Sequence, residues 1–218
     1  MGILASFYNC LYSYKIRGIG EDKLWWIPSS KGAYEVRSFY RILSSHGPTS
    51  FPWKSIWRTK APPRVAFFAW TAARGKILTI DNLRRRGMIV VNRCWLCESD
   101  GESVDHLLLH CEVANALWNA ILSRLGLCWV MPSMVRELLA CWCSGGCTRS
   151  AVVWKMIPLC LMWCLWKERN ARCFEDCARS FEEILHYFFV TLYNWTAGWL
   201  APLVISFPDF LSRLSPLS

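Results

Sequence analysis

Cys94-Trp95-Leu96-Cys97, followed by His106 and then Cys111, is the stretch on which the reading of this 218-residue chain turns; written out, it is C-x2-C-x8-H-x4-C. Three thiols and one imidazole match the four-coordinate tetrahedral shell of a structural zinc ion. The C-x-x-C half makes a tight turn that points two sulfurs at one centre. The second half, from Val104 to Cys111, reads as a short helical stretch carrying the other two ligands. A spacing of five residues is a little under one and a half α-helical turns, so chelation requires the helix to fray or end near Cys111. His110 lies beside Cys111 and competes for the same position. Neighbouring helical residues point about 100° apart, which favours His106. The expected ligand set is Cys94, Cys97, His106 and Cys111, holding Zn2+. The plainer alternative is ordinary cysteines in a chain that has 12 of them.

Just before this stretch the charge is lopsided. Between Trp53 and Arg93 stand ten basic residues, among them Arg64, Arg74, Lys76, Arg84, Arg85, Arg86 and Arg93, opposed only by Asp81. The rest of the chain is neutral, so this segment holds the whole net charge of +9. Charge confined in this way is the footprint of a nucleic-acid partner engaged through phosphates. The competing reading is a solvated basic face. Arg84-Arg85-Arg86 also falls at the end of a short expected helix, where cations complement the helix dipole without any ligand.

The motifs on both sides carry a family resemblance. Cys94-Trp95-Leu96-Cys97, Glu102-Ser103-Val104-Asp105-His106-Leu107-Leu108-Leu109-His110-Cys111, Ala114 and Trp118 resemble the zinc-binding domain of plant reverse transcriptases. So do Trp53-Lys54-Ser55-Ile56-Trp57, Pro62-Pro63-Arg64-Val65-Ala66-Phe67-Phe68-Ala69-Trp70 and Leu78-Thr79-Ile80-Asp81-Asn82-Leu83. Asp22 to Leu43 is similar to the W-W…G-x-Y/F-x-V-x-S-x-Y segment that precedes that domain, and Trp166-Lys167-Glu168-Arg169-Asn170 to the W-x-E-R-N box that follows it. The resemblance runs from Asp22 to Trp195. It implies a domain lying C-terminal to the polymerase of non-LTR, LINE-like retrotransposon polyproteins, helping to hold template RNA or target DNA. It also implies His106 rather than His110 as the ligand.

Composition is that of a chain with a real core: 54% hydrophobic, 15% aromatic, with 14 Trp. Disorder by composition is excluded. The opening residues have no apolar run of the secretory kind, so the chain is expected to be intracellular, nuclear or cytoplasmic, with thiols rather than disulfides. The most apolar run, Met156 to Trp166, is 11 residues long. A spanning helix needs about 20, so this is expected to be a core helix and no membrane partner is expected.

Local signals divide the chain into residues 1–52 (tail, hairpin and helix), 53–125 (zinc domain) and 126–218 (helical extension and C-terminal tail). Leu24-Trp25-Trp26-Ile27 and Ala33-Tyr34-Glu35-Val36 read as a short hairpin, with Ser38 capping a helix to about Leu43. Pro62-Pro63 opens a helix to about Ala73. Thr79 is the expected N-cap of a helix over 80–86 that Gly87 stops. Val113, Leu117, Ile121 and Leu125 recur every four residues, up to Gly126. Trp118 is expected to lie over the metal site rather than to stack on a base. Ser133 begins a helix to about Trp142. A helix from Ser150 to Phe174 contains Pro158. Ser180-Phe181-Glu182-Glu183 is a capping box opening the last helix, and from Pro202 the chain reads as a tail. The expected fold is mainly α: a small helical zinc-nucleated domain with a short N-terminal β-hairpin and a C-terminal helical extension.

Catalytic signatures are missing. No Asp-Asp pair, G-x-x-x-x-G-K-[ST], H-E-x-x-H or G-x-S-x-G occurs. Arg93, not Pro, precedes Cys94, and the histidine follows the C-x-x-C, unlike the zinc deaminases. Four protein ligands close a zinc site, whereas catalytic zinc keeps a position open. A non-catalytic, nucleic-acid-binding domain with no small-molecule substrate is the leading expectation. The alternatives are a protein-interaction module docking a protein on its aromatic C-terminal half, with zinc only stabilising the fold, or a decayed element with no function.

Overall fold

A proline that opens a helix sets the first packed element. In the computed structural model, which describes residues 8–9, 12, 25–27, 32–39, 51–142, 151–200 and 206–214, a short helix α1 (Trp53–Trp57) leads into α2 (Pro63–Ala73). Pro63 is the first residue of α2, where its missing N–H costs nothing. Val65, Ala66, Phe68, Ala69 and Ala72 form the buried side of α2. The small side chains let it approach closely the long helix α6 introduced below.

Helix α3 (Ile80–Arg85) ends as the sequence suggests. Gly87 takes φ +88°, its N–H reaches the Arg84 carbonyl at 2.9 Å, and the Met88 N–H reaches the Leu83 carbonyl at 3.2 Å. Helix α4 (Glu112–Arg124) closes in the same way at Gly126, with φ +68°. Helix α5 (Val135–Trp142) follows, then α6 (Ala151–Phe174), α7 (Phe181–Leu200) and α8 (Phe207–Leu214).

The apolar run expected to be a core helix is the centre of α6. Met156, Ile157, Leu159, Cys160, Leu161, Met162, Cys164 and Leu165 are all buried. α2 and α7 pack against it. Two tryptophans pin α5 to α6: Trp142 and Trp154 stack at 4.4 Å, and each indole N–H donates to the other's carbonyl, at 2.9 and 3.1 Å. This satisfies two buried donors that would otherwise be costly. The capping box at α7 forms in both directions, Ser180 N–H to Glu183 at 2.7 Å and Glu183 N–H to Ser180 Oγ at 3.2 Å. No helix among the described residues is long and apolar enough to cross a membrane.

The chain forms two compact units, Met1–Thr49 and Ser50–Ser218. In the first, the expected β-hairpin is not there: among the described residues there is no strand. One bond, Trp26 N–H to the Gly32 carbonyl at 2.8 Å, closes the loop. The chain then turns helical over residues 36–39 instead of pairing back. The physical reason is an aromatic knot. Trp26 packs edge-on to Tyr34 at 5.0 Å and against Phe39 at 6.1 Å, and its indole N–H donates to Ser38 Oγ at 2.7 Å. Ser38 is thus inside the helical turn, not its N-cap, with its own hydroxyl donating to the Glu35 carbonyl at 2.7 Å. An isolated two-stranded hairpin is marginal in water, so the ring cluster prevails. Leu24 and Leu43 lie outside the described residues, as do Ser150 and Pro202.

A second correction falls at the other end. Where a tail was expected, α8 has Phe210 buried against Tyr193, with ring centroids 5.5 Å apart. A local box starts it, Ser206 Oγ donating to Asp209 at 2.6 Å and accepting the Asp209 N–H at 3.3 Å.

Candidate metal centre

Cys94 and Cys97 occupy a tight turn. The Leu96 N–H points at Cys94 Sγ at 3.4 Å, and the turn is closed by Glu98 N–H to the Cys94 carbonyl and Cys94 N–H to the Asp100 carbonyl. Glu98 takes φ +57°, a left-handed conformation at the end of the turn. From the other side come His106 and Cys111, and here the backbone does something local periodicity does not foresee. His106–His110 is a single turn of π-helix, closed by Cys111 N–H to the His106 carbonyl at 2.6 Å. A wide turn with an i→i+5 bond brings Cys111 back over His106, so the spacing that does not suit an α-helix suits this one. The helix ends at Cys111 as expected: Cys111 is extended, φ −54° and ψ 138°, and α4 starts at the next residue.

The four side chains converge. One ligand atom from each of Cys94, Cys97, His106 and Cys111 lies within 4.8 Å of all the others. Cys94 Sγ and Cys111 Sγ are 3.9 Å apart, and Cys97 Sγ is 3.4 Å from His106 Nε2. Zinc–ligand bonds of about 2.3 Å to sulfur and about 2.05 Å to nitrogen, at a tetrahedral centre, require about 3.8 Å between sulfurs and about 3.6 Å from sulfur to nitrogen. The donor set and its spacing therefore fit a zinc-sized ion. His110 is turned away, exposed, with Nε2 3.1 Å from the Ser133 carbonyl oxygen.

Without a metal, electrostatics favour the ligating form at Cys111 and His106 and the protonated thiol at Cys94. Cys94 is driven well above the usual thiol range, first by its hydrogen bond to Cys111 and then by burial. Cys111 is held below it, first by that bond and, against its burial, also by the amides of Ala114 and Val113 at the start of α4. A thiolate at a helix N-terminus is favoured by the dipole. Burial, the largest influence on His106, lowers its pKa from the ordinary value and so favours the neutral imidazole that a metal needs.

The segment Glu102 to Asp105 wires this centre to the rest of the fold. Glu102 is wholly buried. Its carboxylate accepts the Ile80 N–H at 3.0 Å, capping α3, and the Trp95 N–H at 3.4 Å, inside the cysteine turn. It is paired with Arg169 of α6, Nη2 to Oε1 at 2.8 Å. Ser103 Oγ accepts the His106 N–H at 3.1 Å, and Asp105 accepts the Val135 N–H at 2.8 Å, capping α5. Arg172, one turn beyond Arg169, donates to the Leu96 carbonyl at 3.0 Å. Glu168 holds Arg172 at 2.8 Å and Arg179 at 3.0 Å. Sequence reasoning picked out Glu102, Ser103, Asp105, Glu168 and Arg169 only as members of matching boxes and passed over Arg172 and Arg179. Trp118 is fully buried, its indole N–H donating to the Leu108 carbonyl at 2.9 Å. It braces the π turn from behind and offers no face to a base.

Arg64, Arg74, Lys76, Arg84, Arg85, Arg86 and Arg93 are all exposed. Arg85 is held by Asp81 at 3.3 Å and Asn82 at 3.1 Å, and Arg93 by Glu98 at 3.1 Å. The other five have no carboxylate partner among the described residues. All nine cysteines among the described residues are free thiols.

Residues 34–118 match the family described as zinc-binding in reverse transcriptase. That bears out the resemblance read from the motifs. The chain is also 25% identical over 160 residues to an Arabidopsis thaliana protein named "Putative ribonuclease H protein". The match takes in 71% of this chain and 26% of that relative, so the chain corresponds to about a quarter of the relative's length. No solved structure matches the chain.

Proposed function

We propose that this chain, whose residues 34–118 are a zinc-binding region of the reverse-transcriptase kind, is a non-catalytic module that holds nucleic acid through its basic segment. The observation that carries this reading is that exposed cations of the segment bearing the whole net charge, Arg64, Arg74, Lys76, Arg84 and Arg86 among them, have no carboxylate partner among the described residues. Cations needed only for solubility do not have to be confined to one segment, and such confinement is the electrostatic footprint of a phosphate-bearing partner. Template RNA or target DNA is the partner that the family resemblance suggests.

Cys94, Cys97, His106 and Cys111 are the residues that would hold Zn2+, and a bound zinc ion supplies a four-way cross-link between the cysteine turn and the π turn. Its role here is structural. Four protein ligands leave no open position for a substrate, and no Asp-Asp pair is present for metal-assisted nucleotidyl transfer. The ribonuclease in the relative's name belongs to a protein of which this match covers 26%. Unpaired thiols in this number suit a reducing compartment, cytoplasmic or nuclear.

The test is a metal assay and a salt series on the full chain. One zinc per chain is expected. Affinity for single-stranded RNA and for duplex DNA should fall linearly on a log–log plot against salt, because phosphate contacts release counterions. Apolar docking of a protein shows no such slope. A zinc-loaded chain that binds neither polymer at low salt would remove the nucleic-acid reading and move protein docking ahead.

A further inference from the structure

Ahead of the metal centre, α1, α2 and the residues before α1 present a group of rings, of which Phe51 and Trp70 rest partly buried against the core while Trp53, Trp57 and Phe67 stand exposed. Trp53 and Trp57, one turn apart on α1 and therefore on one side of it, are 49% and 48% exposed, and Phe67 on α2 is 56% exposed. Phe51 and Trp53 are in contact at 4.7 Å, and Phe67 and Trp70 at 5.5 Å. Arg74, at the C-terminal cap of α2, joins the two pairs. Its guanidinium carbon is 4.5 Å from the Trp70 ring centroid, 5.5 Å from Phe51 and 5.8 Å from Trp53.

Large rings left half exposed are unfavourable on a monomer surface unless something covers them. The arginine identifies the kind of occupant. Ring faces hold the flat cation in place, while its N–H edge is engaged by no carboxylate among the described residues. That edge is the fork that grips a phosphate in two places. A positively charged group fixed among aromatic rings that are partly exposed, Trp53 most of all, combines the two elements of single-strand recognition, backbone phosphate contact and base stacking. A duplex keeps its base faces buried and could use only the cation.

We propose that Phe51, Trp53, Trp57, Phe67, Trp70 and Arg74 form a stacking platform for unpaired bases, so that the chain binds single-stranded nucleic acid in preference to duplex. This rests on the nucleic-acid reading above and adds to it the strandedness of the ligand and the residues that select it.

The experiment uses the full zinc-loaded chain with a labelled 20-nucleotide oligo(U) RNA, an oligo(dT) of the same length and a mixed-sequence duplex. Trp53→Ala and Phe67→Ala, both at exposed positions, should each weaken single-strand binding by about five- to hundredfold, the range seen for loss of one stacked base. Their salt slope and duplex affinity should stay as in the parent. Arg74→Gln should weaken single-strand binding and also make its log–log salt slope shallower by about 0.7. Circular dichroism and zinc content establish that each variant is folded. Equal losses on single strand and duplex, or unchanged single-strand affinity in folded variants, would overturn the platform while leaving the basic segment as a binding surface. Lowered thermal stability with unchanged affinity would show instead that the rings pack within the chain, and would also overturn it. Failure of the parent to bind any of the three polymers would sink both proposals together.

Discussion

Cys111 does two things at once. It closes the π turn through its N–H and stands as the N-cap residue of α4, its sulfur drawn below the usual thiol range by Cys94 and the α4 amides. Cys97 and His106, 3.4 Å apart, complete the opposite edge of the shell. Structural zinc contributes apparent binding energies of about 10–16 kcal/mol, as large as or larger than a domain's net stability of about 5–15 kcal/mol. Cys97→Ser is therefore expected to lose the metal and the helicity of the surrounding unit, as read by zinc content and circular dichroism. A Cys97→Ser protein that keeps full zinc and full helicity would contradict the ligand assignment. The two histidines separate cleanly. His106→Ala should abolish tight zinc binding. His110→Ala, which loses only an exposed contact to the Ser133 carbonyl, should change stability by no more than about 0.5 kcal/mol. The reverse pattern in a chelator competition would reassign the site.

Between elements, the decisive link is Glu102–Arg169, a buried ion pair joining the zinc-bearing loop to α6 across 67 residues of sequence. Thr79 stands at the N-cap position of α3, but its hydroxyl goes to Asp81, and the cap is supplied by Glu102 instead. Arg169 is also stacked on Trp166 at 5.3 Å, so its head group is held on two sides. Arg169→Met removes one partner and leaves the other carboxylate buried and unpaired, which costs about 3–5 kcal/mol. The expected result is a marked drop in the midpoint of denaturant unfolding, together with faster loss of zinc to a chelator. Unchanged zinc release in a destabilised Arg169→Met protein would show that α6 does not brace the metal centre. Glu102→Gln, which keeps an acceptor for the Ile80 N–H, should be less damaging than Glu102→Ala.

For the whole molecule, the charge distribution and the packing have to be read together. Arg84-Arg85-Arg86 is the densest basic run, yet Arg85 is already engaged by Asp81 and Asn82. Replacing all three with Gln should therefore make the salt slope shallower by about two contacts' worth, roughly 1.4–1.8, rather than three. An unchanged slope in a folded, zinc-loaded triple variant would exclude the run as a phosphate surface. The convergence of the four metal-site residues, the helix stops at Gly87 and Gly126, the proline entry at Pro63, the capping box at Ser180 and the core run of α6 were legible along the chain. Each rests on residues a few positions apart whose backbone and side-chain preferences act locally. The π turn, the failure of the hairpin, the docking of α8 and the three partners of the Glu102 carboxylate were not. A π turn is held by the metal-site geometry and by Trp118 behind it, not by its own periodicity. The hairpin lost to contacts among Trp26, Tyr34 and Phe39, whose rings are brought together only once the backbone has folded. Glu102 finds Arg169 only when α6 is in place, because a carboxylate chooses its buried partner by proximity in space, and proximity across 67 residues is a property of the tertiary fold.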